Sequence, residues 1–173
     1  MVDAPTVANS VTIIREECGA FWQVAAWPDT LGAVAARLAE ITGAAVPGPG
    51  GIVRTDSGQI ARIAPLTWWM IGANADAIRA LQDIAPDQGA IVDLTDNRVR
   101  FVISGPYARD MMMRLAPLDF RDRGFPTGRI AATAAHHVSV QIARGDDAWD
   151  IYVTATFADA FAEILAETAA QWG

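Results

Sequence analysis

Two adjacent histidines, His136 and His137, are the only histidines of the chain and the first residues that could bind a metal ion. A catalytic zinc ion needs three convergent protein ligands, and the chain offers a single cysteine, Cys18, and no histidine at helical spacing from the pair. If the pair lies on a strand, the two side chains point to opposite faces and cannot bind one ion together. We therefore predict one half-buried histidine, one exposed histidine and no metal site.

The segment Ser104-Gly105-Pro106 lies between a predicted strand and a predicted helix, where a nucleophilic serine or an anion site can occur. The segment lacks the G-x-S-x-G pattern of a nucleophile elbow, and a catalytic triad could draw only on the histidine pair. A helix cap followed by proline at the first helical position accounts for all three residues, because proline has no N–H to leave unpaired there. We predict a helix start and no catalytic serine.

Acidic residues that could donate or accept protons flank the helix predicted after Pro106. Paired carboxylates can serve general acid–base chemistry. However, arginines lie close to these acids in the sequence, and Asp96-Asn97 is typical of a turn. We therefore predict ion pairs on a solvated or interfacial face. The acids are Asp93, Asp96, Asp110, Asp119 and Asp122, and the arginines are Arg98, Arg100, Arg109, Arg114, Arg121 and Arg123.

Three further features argue against a catalytic or cofactor site. Gly48, Gly50 and Gly51 precede a predicted strand, whereas a phosphate-binding loop precedes a helix. Cys18 follows two glutamates, whose negative charges disfavour a reactive thiolate. All 13 basic residues are arginine, so the chain has no lysine to form a Schiff base or to complete a nucleotide-binding P-loop. We predict no catalytic, cofactor-binding or metal-binding residue in this chain.

The composition is that of an acidic chain that can fold without disulfides. Its 173 residues are 52% hydrophobic and 19% charged, which excludes disorder, and one cysteine excludes an internal disulfide. The net charge of −7 repels phosphate backbones and argues against a nucleic-acid partner. Because we find neither an apolar run that could cross a bilayer nor a secretory leader, we expect a cytoplasmic protein without a membrane partner.

The elements that position these residues repeat in order along the chain. In the first half we predict a strand at 21–26, a helix with apolar residues Leu31, Val34, Leu38 and Ile41 that ends at Gly43, strands at 59–64 and 67–71, a helix at 75–84 capped by Asn74, and a strand at 90–94. In the second half we predict a strand at 99–103, a helix ending near Leu115, strands within 130–143 and 148–154, and a helix from near Thr156.

This order predicts an α+β fold made of two split β-α-β halves of ferredoxin-like type, with antiparallel or mixed sheets and helices on their faces. Residues 1–20 are predicted to be a lead-in segment with a short strand at 11–14. Residues 21–173 are predicted to form one domain, with halves at about 21–94 and 98–173.

Two groups of residues suggest a surface for a protein partner. Trp68 and Trp69 should face opposite sides of one strand, so that one fills the core and the other is exposed. The loop that follows Pro117 is rich in arginine, which suits bidentate contacts with carboxylates at interfaces. The predicted subunit interface consists of Trp68, Trp69, Arg121, Arg123, Phe125 and Arg129.

Several segments, in order, resemble the gamma subunit of heterotetrameric sarcosine oxidase. They are WMIG (69–72), VDLTDNR (92–98), ISGPYARD (103–110), PLDF (117–120), FPTGRIAAT (125–133) and TFAD (156–159). The resemblance covers the chain from Cys18 onward. The chain departs from the family at Ile130 and Ala132, where the family has cysteine and glutamine, which leaves open an oxidase for another secondary amine.

The resemblance implies a fold similar to the folate-binding domain of the aminomethyltransferase of glycine cleavage. It also implies a complex that demethylates sarcosine to glycine, transfers the one-carbon unit to tetrahydrofolate and produces hydrogen peroxide. FAD, FMN, NAD and tetrahydrofolate are then expected on the alpha and beta subunits, with a zinc-binding delta subunit as a further partner. The gamma subunit is expected to be structural.

We therefore expect a non-catalytic subunit of a sarcosine or secondary amine oxidase. The resemblance to aminomethyltransferases would place a catalytic carboxylate in the segment 136–141. This segment has no acidic residue, and the next acid along the chain is Asp146. Two alternatives remain open at this point. One is a free-standing folate-binding-domain protein in one-carbon transfer, and the other is a homo-oligomeric scaffold.

Overall fold

A computed structural model describes residues 6–8 and 10–172, which fall into two compact units. One unit consists of Cys18–Thr95, and the other combines the residues up to Glu17 with those from Asp96 onward. The strands are β1 (Thr6–Ala8), β2 (Val11–Glu17), β3 (Phe21–Ala26), β4 (Ile52–Thr55), β5 (Gly58–Ala64), β6 (Thr67–Ile71), β7 (Gly89–Asp93), β8 (Arg98–Ser104), β9 (Ile130–Ala135), β10 (Val138–Arg144) and β11 (Ala148–Thr154). The α-helices are α1 (Leu31–Thr42), α2 (Ala75–Leu81), α3 (Ala108–Leu115) and α4 (Ala158–Ala169).

The unit Cys18–Thr95 is an antiparallel sheet in the order β4-β5-β6-β3-β7, and residues of α1 and α2 contribute to its core. The predicted apolar stripe of α1 is confirmed, since Val34 and Leu38 are buried. Gly43 ends α1 in the left-handed conformation with φ of 64°, as predicted. The Asn74 side chain caps α2 by accepting a 2.9 Å hydrogen bond from the Ala77 N–H.

The other unit is an antiparallel sheet in the order β1-β2-β8-β11-β10-β9. Alternate residues of its strands, such as Phe101 and Ile103 in β8, point into a core that includes residues of α3 and α4. Phe101 meets Phe161 of α4 edge to face, with ring centroids 5.6 Å apart. The predicted α+β class with two sheets and helices is confirmed.

The two sheets share one strand order, which makes the duplication visible in the topology. The order β9-β10-β11-β8-β2 matches β4-β5-β6-β3-β7, so each strand of the five-stranded sheet has a counterpart in the six-stranded sheet, where β1 is the additional strand. The counterpart of β7 is β2, which comes from the segment expected to precede the domain. Residues 11–17 therefore complete the sheet of the second half through their pairing with β8. Of residues 1–20, positions 1–5 and 9 lie outside the described residues.

Three predicted details are wrong, each for a local reason. Strand β4 is not among the predicted strands, so the first half has three consecutive strands between its helices instead of two. The single strand expected within 130–143 is the hairpin of β9 and β10. Helix α3 begins at Ala108, and Pro106 lies in the turn before it, so neither Ser104 nor Pro106 caps or opens the helix.

Among the described residues, no helix has the length and apolar character to span a membrane.

Candidate functional site

A surface cavity of about 380 Å³ lies between the turn that joins β8 to α3 and the hairpin that joins β10 to β11. Gly105 permits this turn. Its φ is 108°, and a Cβ atom there would lie 2.7 Å from the Ser10 carbonyl oxygen. The segment expected to be a simple helix start thus forms one wall of the cavity. The lining residues are Gly105, Pro106, Ala108, Arg109, Asp110, Arg144, Gly145, Asp146, Asp147, Ala148 and Trp149.

Both arginines of this cavity bind a single carboxylate. Arg109 Nη2 and Arg144 Nη2 each lie 2.8 Å from Asp122 Oδ1. The hydrogen bond from Arg144 and the positive charge of Arg109 lower the pKa of Asp122 below its ordinary value. The remaining acids, Asp110, Asp146 and Asp147, are exposed. The cavity therefore offers exposed carboxylates, and both of its arginines are already engaged by Asp122.

Arg144 also connects the cavity to the loop 116–129, which we call the arginine loop. Its Nη1 donates a 2.8 Å hydrogen bond to the Phe125 carbonyl oxygen, and its guanidinium lies 5.0 Å from the Trp149 ring centroid. Phe120, Phe125 and Trp149 form an aromatic cluster under the loop, with centroid distances of 5.1–5.7 Å. These buried rings hold the loop in place.

Asp119 and Arg121 form a bidentate ion pair within the arginine loop. Arg121 Nε and Nη2 lie 2.7 and 2.8 Å from the two oxygens of Asp119. These bonds, together with the Arg121 N–H, lower the pKa of Asp119 to about 2. The predicted pairing of acids with arginines is confirmed for Asp119 and Asp122. Asp93 differs, because it accepts hydrogen bonds from the Thr95 N–H and hydroxyl, which lower its pKa.

The residues predicted for a subunit interface divide into exposed and buried groups. Arg121, Arg123 and Arg129 are exposed, whereas Phe125 is buried in the aromatic cluster. The expectation that one tryptophan of the pair is exposed is wrong, since Trp68 and Trp69 are 0% and 1% exposed.

The tryptophans do lie on opposite faces of β6, and each face is covered. Trp68 belongs to the core of its unit. Trp69 meets Phe21 edge to face at 4.9 Å, and its indole N–H donates to Gln23 Oε1 at 3.1 Å. Neither indole is available to a partner in this arrangement.

The histidine pair occupies the two-residue turn between β9 and β10 instead of a strand. His136 has a left-handed φ of 52°, and both histidines are exposed, so the expected half-buried histidine is not found. Within residues 10–172, no three histidine, cysteine, aspartate or glutamate side chains converge on a point where a metal ion could bind. The two histidines thus form the exposed turn of the β9–β10 hairpin.

Arg100 was expected to form an ion pair, but its partners Glu16 and Asp150 were not predicted. Arg100 of β8 contacts Asp150 of β11 at 2.9 Å and Glu16 of β2 at 3.3 Å, so that three strands are joined on the sheet face opposite the core. The Asp150 side chain is only 10% exposed. The alternation of side chains along each strand could have predicted that these residues face away from the core. The sequence does not show that Glu16 lies next to Arg100 and Asp150, because the three residues are far apart in the chain.

The family model of the GCVT N-terminal domain matches residues 41–173. No curated protein sequence matches the chain. A chain in the solved structure of heterotetrameric sarcosine oxidase from Corynebacterium sp. U-96 in complex with pyrrole 2-carboxylate has the same fold. The TM-score is 0.84 with 24% identity, over 96% of this chain and 88% of that one.

A second solved structure has the same fold over part of its length. It is the glycine cleavage system aminomethyltransferase T from Bartonella henselae, with a TM-score of 0.65 and 15% identity over 90% of this chain. The match covers 45% of the aminomethyltransferase chain. The expected likeness of fold to both proteins is confirmed. Because the family model covers more than half of its residues, the chain belongs to the GCVT N-terminal domain family.

Proposed function

We propose that this chain is a non-catalytic subunit of a multisubunit amine oxidase that demethylates sarcosine or a related secondary amine. The observation that carries the proposal is the extent of the fold match. The match to a chain of a heterotetrameric oxidase covers 96% of this chain and 88% of that one. The match to an aminomethyltransferase covers only 45% of the aminomethyltransferase chain. A chain that corresponds to nearly a whole subunit is expected to act within an assembly rather than as a complete transferase.

The chemistry of the described side chains supports a structural role. The positive groups of the cavity are bound to Asp122, the histidines are exposed in a turn, and the acids of the cavity rim are solvated. An enclosed acid that could be held against a substrate proton would favour acid–base catalysis, whereas the acids described in this cavity are exposed to solvent. FAD, FMN, NAD and tetrahydrofolate are accordingly proposed to bind alpha and beta subunits, with a delta subunit completing the complex.

The test is co-expression of the full chain with the products of flanking genes that encode flavin subunits, followed by affinity purification and an oxidase assay. We expect a stoichiometric complex that oxidises sarcosine or another secondary amine, and no oxidase or aminomethyl transfer activity for the chain alone. Turnover by the purified chain would contradict the proposal. So would flanking flavin subunits that assemble and oxidise amine equally well without it.

A free-standing folate-binding protein is the second candidate, favoured by the match to the GCVT N-terminal domain alone. Equilibrium dialysis of the isolated chain with tetrahydrofolate distinguishes the two. Saturable binding at one site per chain would favour this alternative, whereas the structural role predicts no saturable binding.

A further inference from the structure

Strand β9 is an unusual sheet edge. Natural sheets protect their edge strands with short length, charged residues or proline, because unpaired backbone groups invite another strand. The other edges follow this rule: β1 has three residues, β4 carries Arg54, and β7 carries Asp93. Strand β9 has six residues of sequence IAATAA, with no charge, no proline and an unbroken register against β10.

The pairing with β10 determines which backbone groups of β9 face outward. The Arg144 N–H donates to the Arg129 carbonyl oxygen at 2.9 Å, and the Arg144 carbonyl oxygen accepts from the Gly128 N–H at 2.9 Å, so a bulge at Gly128 and Arg129 bonds to Arg144 and begins the ladder. Since hydrogen-bonded pairs alternate along an antiparallel ladder, Ala131, Thr133 and Ala135 bond to β10. The N–H and C=O groups of Ala132 and Ala134 therefore point away from the sheet, and no described strand pairs with them.

The side chains on this edge leave the outward groups accessible. Ala132 and Ala134 are exposed, and each presents only a methyl group beside its backbone N–H and C=O. A second strand could therefore approach to the ordinary spacing of about 4.8 Å without displacing a side chain. The equivalent edge of the first half, β4, carries the long side chain of Arg54.

The charge at the start of β9 is positive on a chain whose net charge is −7. Arg129 directly precedes the strand and is exposed, with its guanidinium 5.9 Å from the Phe125 ring centroid. Arg123 of the arginine loop is exposed as well. Neither arginine forms an ion pair among residues 10–172, whereas Arg121 is bound to Asp119.

We propose that β9 binds an extended segment of a larger partner subunit, which adds a strand to the sheet and places acidic side chains next to Arg129 and Arg123. The main-chain hydrogen bonds of Ala132 and Ala134 supply affinity, and the two arginines select a segment that carries carboxylates. This inference rests on the proposed function, which supplies the larger subunits.

A second copy of the chain fits this edge less well. Antiparallel pairing of two β9 strands about their centre would place each Arg129 beside the histidine turn of the other copy, where it meets no carboxylate. Two chains of net charge −7 also repel one another. An acidic segment of a different subunit meets the two arginines with opposite charge.

The first test co-expresses the flavin subunits with the full chain, either as the wild type or as the Ala132→Pro variant, and measures how much of the flavin subunits is recovered with it. Proline removes the outward N–H of residue 132 and leaves the bonds to β10 in place, as edge strands tolerate. We expect recovery of the flavin subunits to fall about tenfold or more, as the loss of interstrand hydrogen bonds predicts, while Ala132→Ser, which keeps the N–H, recovers them as the wild type does. Arg129→Glu should reduce recovery, whereas Arg54→Glu on the equivalent edge should not.

Amide hydrogen exchange on the wild-type chain tests the same contact without any variant. In the free chain, the amides of Ala132 and Ala134 should exchange quickly while those of Ala131 and Thr133 are protected. In the complex, all four should be protected. A complex in which Ala132 and Ala134 still exchange quickly, or in which Ala132→Pro binds as the wild type does, overturns this inference and leaves the proposed function intact.

Two further outcomes would also overturn the inference. Protection of Ala132 and Ala134 in the chain alone, together with a concentration-dependent dimer, would assign the edge to a second copy. Failure of the wild-type chain to bind any flavin subunit would overturn the proposed function and this inference together.

Discussion

Arg100 and Asp150 form an ion pair between neighbouring strands on the face of the six-stranded sheet that is opposite its core. Arg100 Nε and Nη2 both donate to Asp150 Oδ1, at 3.0 and 2.9 Å. Arg100 lies opposite Tyr152 in the β8–β11 register, so Asp150 is its diagonal neighbour. Because Asp150 is nearly inaccessible to solvent, its charge depends on this arginine for compensation.

Loss of the arginine should therefore destabilise the fold. The Arg100→Met variant leaves the Asp150 carboxylate without its main partner and should lower the free energy of unfolding by about 3 kcal/mol, measured by urea denaturation. The matched control is Arg79→Met, which removes an exposed pair with Asp76 and should change stability by less than about 0.5 kcal/mol. Equal effects of the two variants would contradict this assignment.

The ion pair of Asp119 predicts a specific response to acid. The pKa of Asp119 is about 2 in the folded chain against an ordinary value of 3.8, so the unfolded chain binds a proton first as the pH falls. The stability that this carboxylate contributes is present above pH 4 and is lost as the pH falls from 3.8 to about 2.

An NMR titration of the Asp119 carboxyl carbon measures this directly. The midpoint should rise toward 3.8 in Arg121→Gln, which removes the hydrogen bonds that lower the pKa. In Arg123→Gln it should move little, because Arg123 contributes the smallest of the effects on Asp119. A wild-type midpoint near 3.8 would show that the ion pair does not form in solution.

Substitution of alanine for glycine should change the stability of the protein in opposite directions at Gly89 and Gly32. A Cβ atom at Gly89 would lie 2.4 Å from the Ala25 carbonyl oxygen in the neighbouring strand, so Gly89→Ala must disturb the β3–β7 pairing and destabilise the protein. Gly32 lies in α1, where a Cβ atom would meet nothing within 4 Å. Gly32→Ala should raise the free energy of unfolding by up to about 1 kcal/mol, because glycine is a poor helix former. Thermal denaturation of both variants checks the contrast, and the same sign for both would contradict it.

The aromatic cluster should hold the arginine loop in place. Phe120→Ala removes a fully buried ring that meets Trp149 edge to face, and should lower the free energy of unfolding by about 3–5 kcal/mol. The control is Phe157→Ala, whose ring is 54% exposed and should contribute about 0.5 kcal/mol or less. Amides of residues 121–125 should also exchange faster in Phe120→Ala. Unchanged exchange there would show that the loop is held by other contacts.

The sequence predicts helices and isolated strands well where their periodicity is long and their ends carry turn chemistry. Helix α1 is an example, with its apolar stripe and Gly43 as its end. The hairpin of β9 and β10 was missed because its turn consists of two histidines, where glycine or asparagine is the usual signal for a left-handed residue. Strand β4 was missed because it has only four residues between a glycine-rich loop and a turn.

The candidate site is predictable only in part, because exposure depends on what covers each face of a strand. Alternation correctly separates Trp68 from Trp69, but it does not say that both faces are buried. The pair of Asp119 with Arg121 is local, and the sequence predicts it, whereas the bond of Asp122 to Arg144 joins distant positions. The network of Arg100, Glu16 and Asp150 joins three strands that are far apart in the sequence, so it required the topology.

The position of β2 bears on the order in which the chain acquires its structure during synthesis. Residues 11–17 are synthesised before the unit Cys18–Thr95, whereas their pairing partner β8 is synthesised only after that whole unit. That unit contains all five strands of its sheet, so every strand pairing within it is available before β8 is made. The amino-terminal strand must wait for the carboxy-terminal half, so a tag or truncation near Val11 should delay the late-folding unit and spare the early one.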